Sequence, residues 1–209
     1  MTEIKICGIT RGEDALVCAE LGADFIGFIF VPFTPRYIEP EAASAIADLL
    51  AERAKGGERS PKIVGVFRDS SVDYVRQIAS VTRLDAVQLH GSETDDDIRE
   101  LGLPAIKTFR IDTTLPDTSG FPNARWLLFD AFDEQRAGGT GRRFDWSLLS
   151  AYPRTQPFFL AGGLRPENVA AAISAVRPDA IDVSSGVEQA PGIKDHDRLR
   201  LLFERVRGS

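Results

Sequence analysis

The sequence is short of cysteine, histidine and surplus positive charge. Its 209 residues hold two Cys (Cys7 and Cys18) and two His (His90 and His196). Two cysteines build no disulfide framework, and no Cys/His spacing suits zinc. A net charge of −6 leaves no basic excess to neutralise phosphates, which argues against a nucleic-acid partner. Long apolar runs are also missing. No segment reaches the 18 or so uninterrupted apolar residues of a membrane helix, so no membrane partner is expected. Met1 to Ile6 passes almost at once into a strand, without the charged start and apolar run of a signal peptide. The expectation is a cytoplasmic protein with a small ligand. An anion remains possible, because backbone N–H groups and one or two arginines suffice to hold it.

What the chain does have is alternation. Apolar, strand-like runs occupy residues 4–8, 24–30, 62–67, 85–91, 105–110 and 125–130, with two more starting at 158 and 181. Helical patterns fall between them. The first, about 11–21, has Thr10 as expected cap, Asp14 as the second half of an approximate capping box, and Gly22 at its end. Others cover about 41–55, 72–81, 166–176 and 194–206, and Thr94 is placed to cap an acidic turn (Asp95, Asp96, Asp97). Residues 111–123 carry too little helical signal for a full helix. The expected total is eight strands and about eight helices, and 209 residues over eight units gives about 26 each. Such alternation calls for parallel strands, and the count favours a closed barrel: an α/β fold, a single-domain (β/α)8 TIM barrel over residues 1–209.

The last two strands each run into a glycine-bearing turn, at Gly162-Gly163 and at Ser185-Gly186. Glycine lets backbone approach a ligand closely, and exposed N–H groups near helix starts bind phosphate. In eight-stranded barrels the phosphate site commonly follows strands 7 and 8. A single Gly-Gly pair would read as an ordinary turn; two such turns one helix apart favour an anion site. Chemistry in such barrels sits at the C-terminal ends of the strands. That rule retains Cys7, Arg36, His90, Arg110, Asp130 and Asp182 and sets aside Lys62, Asp85 and Arg125.

These residues lie in strings that resemble phosphoribosylanthranilate isomerase: Ile4-Lys5-Ile6-Cys7-Gly8-Ile9-Thr10, Pro35-Arg36-Tyr37-Ile38, Gln88-Leu89-His90-Gly91, Leu128-Phe129-Asp130, Gly138-Gly139-Thr140-Gly141, Leu160-Ala161-Gly162-Gly163-Leu164 and Asp182-Val183-Ser184-Ser185-Gly186-Val187-Glu188. They span nearly the whole chain in order. Thr34 and Arg68-Asp69 depart from the family's usual residues, outside its motifs. The resemblance implies an Amadori rearrangement in tryptophan biosynthesis. N-(5′-phosphoribosyl)anthranilate becomes 1-(2-carboxyphenylamino)-1-deoxyribulose 5-phosphate, with no cofactor and no metal.

That reaction needs an acid at the furanose ring oxygen and a base at C2′. The resemblance implies Asp130 as acid, since a carboxyl on an apolar strand end can hold a proton near neutrality. Its other reading is a turn cap. It implies Cys7 as base, a thiol needing an anion-stabilising setting that helix N-termini near strand 1 could supply. A lone cysteine is more often an inert small hydrophobe, as Cys18 is expected to be. Arg36 suits the anthranilate carboxylate. Asp182 is open between binding substrate hydroxyls, orienting Cys7 and capping the Ser184-Ser185 turn. His90 is open between ligand contact and buried scaffold, and Arg110 is undecided. His196 and Arg142-Arg143 read as solvated surface. Phosphate is assigned to the N–H groups of Gly141, Gly162, Gly163, Ser185 and Gly186, with residues 138–141 as a candidate lid. Partners reduce to the small phosphorylated substrate, with the chain a monomer or homodimer. Two alternatives remain: a histidine-pathway sugar-phosphate isomerase, disfavoured by Cys7 where those enzymes have aspartate, and a non-catalytic phosphometabolite-binding barrel.

Overall fold

The computed structural model describes residues 1–111, 114–130 and 146–208. Eight parallel strands follow one another around a closed barrel: β1 (Glu3–Cys7), β2 (Phe25–Ile29), β3 (Lys62–Phe67), β4 (Ala86–Leu89), β5 (Ala105–Arg110), β6 (Trp126–Asp130), β7 (Phe158–Ala161) and β8 (Ala180–Val183). β8 closes onto β1 through the register Lys5↔Asp182. This is the TIM barrel that the alternation called for. The helices are α1 (Gly12–Glu20), α2 (Pro40–Lys55), α3 (Val72–Thr82), α4 (Asp95–Leu101), α5 (Val169–Val176) and α6 (His196–Arg207).

The described residues therefore hold six α-helices, fewer than the eight or so expected. No helix follows β5 among them, and a 3-10 turn at Trp146–Ala151 precedes β7. An unexpected antiparallel hairpin, β9 (Glu188–Ala190) and β10 (Ile193–Lys194), follows β8. Among the described residues no helix is long and apolar enough to cross a membrane.

Thr94 and Asp97 form the capping box of α4. Thr10 does not cap α1: its N-cap is Arg11, without a side-chain bond. The Thr10 hydroxyl donates instead to the Gly192 carbonyl in the hairpin turn. Asp14 is fully buried, accepting from the Lys194 amide and pairing with His196 Nε2 at 2.8 Å. His196 is thus tied to a buried carboxylate, contrary to its expected role as free surface.

Strand residues alternate between the helix-facing and the inward face. A large apolar cluster lies between strands and helices, and a smaller one fills the barrel interior with Phe25, Val64, Ala86, Ile106, Leu128, Phe159 and Ala180, Trp126 packing against it. Phe25, Trp126 and Phe159 meet edge to face at 5.3 to 6.3 Å. Phe25 and Trp126 open their strands, so these rings floor the barrel at its N-terminal end. Counting in twos up from that floor leads to the polar residues: Ala86, Gln88, His90; Leu128, Asp130; Ala180, Asp182, Ser184.

Candidate active site

Directly above the aromatic floor lies a buried cation. Lys5 has no exposed surface, and its ammonium donates across the barrel to Gln88 Oε1 at 2.7 Å and to Asp182 Oδ2 at 2.8 Å. Cys7 is two residues on and so shares the face of Lys5. Gly27 makes its space, since a Cβ there would fall 2.8 Å from Cys7 Sγ. Burial pushes the thiol above its ordinary value; the nearby Lys5 opposes this, Asp182 adds to it, and Lys194 opposes it too. The pKa of Lys5 is raised although burial pulls it down, because Asp182 and Cys7 outweigh that pull. The anion-stabilising setting is therefore two lysines, where helix N-termini were expected, and burial still prevails.

His90 and Asp130 face each other from β4 and β6, with Nε2 3.7 Å from Oδ2, too far for a hydrogen bond. Burial lowers the pKa of His90 most, opposed by Asp130, with Arg110 and Lys5 lowering it and Asp182 raising it. The ring is accordingly neutral near pH 7, one nitrogen donating and one accepting. Arg110 neighbours Asp130 in the sheet register. Asp182 acts on both Cys7 and His90, which links the β1 end of the rim to the β4 and β6 end. Its Oδ2 is spent on Lys5, so it does not cap the Ser184-Ser185 turn. Its Oδ1 and the Ser184 hydroxyl are buried without a partner among the described residues, which suits ligand hydroxyls.

Arg36 lies along Gly8, whose φ of +73° requires glycine and whose Cβ would strike Arg36 Cδ at 2.8 Å. The guanidinium meets Glu188 bidentately, at 2.9, 3.1 and 2.6 Å. Lys194, also fully buried, donates to Glu188 Oε1 at 2.9 Å and to the Cys7 carbonyl at 2.6 Å.

The two glycine turns meet each other. A Cβ on Gly186 would lie 1.9 Å from the Leu164 carbonyl oxygen, so only glycine lets the turn after β8 touch the turn after β7. Gly162 and Gly163 both take positive φ. Asn168 fastens that turn, accepting from the Arg165 amide and donating to the Gly163 carbonyl. The amides of Gly162, Gly163, Ser185 and Gly186 have no acceptor among the described residues. Four unspent donors at two abutting turns can cradle a phosphate. Gly141, residues 138–141 and Arg142-Arg143 lie outside the described residues. No three His, Cys, Asp or Glu side chains group as a metal site among the described residues.

Reading the rim alone missed Lys5, Gln88, Glu188 and Lys194. Lys5 and Gln88 had a signal: each is polar within an apolar strand, on the inward parity of Cys7 and His90. Glu188 closes one of the resembling strings but drew no role from it, and Lys194 had no signal short of the hairpin that carries both.

Residues 4–205 match the family described as N-(5′-phosphoribosyl)anthranilate (PRA) isomerase. The N-(5′-phosphoribosyl)anthranilate isomerase of Trichlorobacter lovleyi is 44% identical over 209 residues, covering 99% of this chain and 98% of that one. Among solved structures, phosphoribosyl anthranilate isomerase from Thermotoga maritima superposes with a TM-score of 0.87 at 41% identity, each chain fully covered. A phosphoribosyl anthranilate isomerase in complex with reduced 1-(o-carboxyphenylamino)-1-deoxyribulose 5-phosphate superposes with a TM-score of 0.85 at 39% identity, again over the whole of both chains.

Proposed function

Since this chain belongs to the N-(5′-phosphoribosyl)anthranilate isomerase family, we propose that it carries out that Amadori rearrangement with Asp130 as general acid and Cys7 as general base. Asp130 protonates the furanose ring oxygen of N-(5′-phosphoribosyl)anthranilate, and the ring opens to a Schiff base. Cys7 takes the C2′ proton, and the enolamine collapses to 1-(2-carboxyphenylamino)-1-deoxyribulose 5-phosphate. Arg36 binds the anthranilate carboxylate. Asp182 Oδ1 and His90 contact the sugar hydroxyls, and Gly141, Gly162, Gly163, Ser185 and Gly186 hold the phosphate. The enzyme works on this small phosphorylated substrate in the cytoplasm, as a monomer or homodimer.

One observation carries the reading. Cys7 and the His90–Asp130 pair occupy one barrel mouth, joined electrostatically through Asp182 and Lys5. A base and an acid on one rim can address C2′ and the ring oxygen of a single sugar. Both also share that rim with the phosphate cradle, which fixes the substrate's far end.

The test follows loss of phosphoribosylanthranilate fluorescence on adding pure protein. Cys7→Ser and Asp130→Asn should each lower kcat by about 10²- to 10⁴-fold with unfolding midpoints near wild type. Near-normal turnover by either variant would remove that residue from the mechanism.

A further inference from the structure

We propose that Glu188 is a positioning residue for substrate: it grips Arg36 by one edge so that the guanidinium presents its other edge to the anthranilate carboxylate. This rests on Arg36 being the partner of that carboxylate, as proposed above. A guanidinium offers two edges for a bidentate carboxylate, Nε with one Nη, and the end-on pair of Nη groups. Glu188 occupies the first, taking Nε at 2.9 and 3.1 Å and Nη2 at 2.6 Å. Nη1 has no partner among the described residues. The Arg36 side chain is 25% exposed while that of Glu188 is 4% exposed, so the carboxylate lies on the protein side of the pair and the arginine keeps surface open to a ligand.

Glu188 is held from behind. Its Oε1 accepts from Lys194 Nζ at 2.9 Å and from the Gly192 amide at 3.3 Å. Lys194 also donates to the carbonyl of Cys7. The chain of contacts thus runs from the Cys7 backbone through Lys194 and Glu188 to Arg36. It fixes the distance between the thiol and any carboxylate that Arg36 receives, and so the placement of C2′ over the sulfur. Two further consequences favour binding. The arginine gives up its rotamer freedom before substrate arrives. Two cations around one carboxylate also leave one positive charge unmatched, which a carboxylate ligand completes.

The experiment compares binding of the product, 1-(2-carboxyphenylamino)-1-deoxyribulose 5-phosphate, with that of its counterpart lacking the ring carboxyl. The readout is the ratio of the two Kd values, measured by titration for wild type, Arg36→Ala and Glu188→Gln. Arg36→Ala should shrink the preference for the carboxylated ligand about tenfold or more, the scale of a charged hydrogen-bonded pair. Glu188→Gln should shrink it about threefold to tenfold with Arg36 intact. A merely structural role would weaken both ligands alike and leave the ratio unmoved, which would overturn the proposal. A ratio that rises would mean Glu188 competes with substrate for Arg36, which also overturns it. An unchanged ratio in Arg36→Ala would instead overturn the Arg36 assignment itself. Should Glu188→Gln fail to fold with Lys194 left unpaired, Glu188→Gln/Lys194→Met removes both buried charges and is read the same way.

Discussion

An ammonium with no exposed surface, two residues before a buried thiol on one strand face, constrains what that thiol can be. Lys5 is held by Gln88 and Asp182 and is the foremost of the neighbours opposing the upward push of burial on Cys7. That opposition does not suffice, and the pKa of Cys7 stays above its ordinary value. Its alkylation by iodoacetamide should therefore rise with pH to a midpoint above the ordinary 9.0. Lys5→Met should move the midpoint higher still. It should also cost about 3–5 kcal/mol in urea unfolding, because Asp182 is left as a buried carboxylate without its cation. A wild-type midpoint below 9.0 would show that the two lysines outweigh burial after all.

At the scale of elements, the phosphate cradle depends on two turns meeting at one glycine. Gly186→Ala would drive a methyl into the Leu164 carbonyl and part the turns that aim the amides of Gly162, Gly163, Ser185 and Gly186. The expected outcome is a KM raised about ten- to a hundredfold with kcat changed much less, in steady-state assays, since phosphate contacts hold substrate and transition state alike. An unchanged KM would remove this turn from phosphate binding. Elements governed by local rules were legible in the sequence: strands 62–67 and 105–110 fall at the expected residues, and Thr94 caps α4 as its spacing indicated. Those decided by distant contacts were not. Thr10 has the look of a cap, yet its hydroxyl finds the Gly192 carbonyl, which lies 182 residues away. Strands of three and two residues, β9 and β10, leave no periodicity to detect. The contacts that Glu188 and Lys194 make behind Arg36 went unseen with them. Cys7, His90, Asp130 and Asp182 could be grouped from the sequence because strand ends in a barrel share one rim whatever the loops do.

Across the whole molecule, buried ionisable groups fix the pH range in which the fold is most stable. Cys7, Cys18 and Lys5 all have raised pKa values, that of Cys18 pushed up to about 12 by burial. Above pH 9 the unfolded chain therefore releases protons that the native state retains, and stability falls as pH rises. His90 is lowered, so below about 6.5 the unfolded chain binds a proton that the native state resists, and stability falls as pH drops. Glu188, held down by Arg36 and Lys194 against its burial, adds a loss below 4.5. The unfolding free energy should thus be greatest between about pH 6.5 and 9. Cys18 tests the alkaline limb, being fully buried and assigned no part in the proposed chemistry. Cys18→Ala removes a sulfur and should cost about 1 kcal/mol at pH 7. It also removes a group worth about 1.4 kcal/mol per pH unit between its unfolded pKa near 9 and its folded value. The variant should then lose stability more slowly than wild type above pH 9 and overtake it about one unit higher. Urea unfolding of both proteins from pH 7 to 10.5 reads this directly: curves that stay parallel would show that Cys18 ionises in the native barrel as easily as in the unfolded chain.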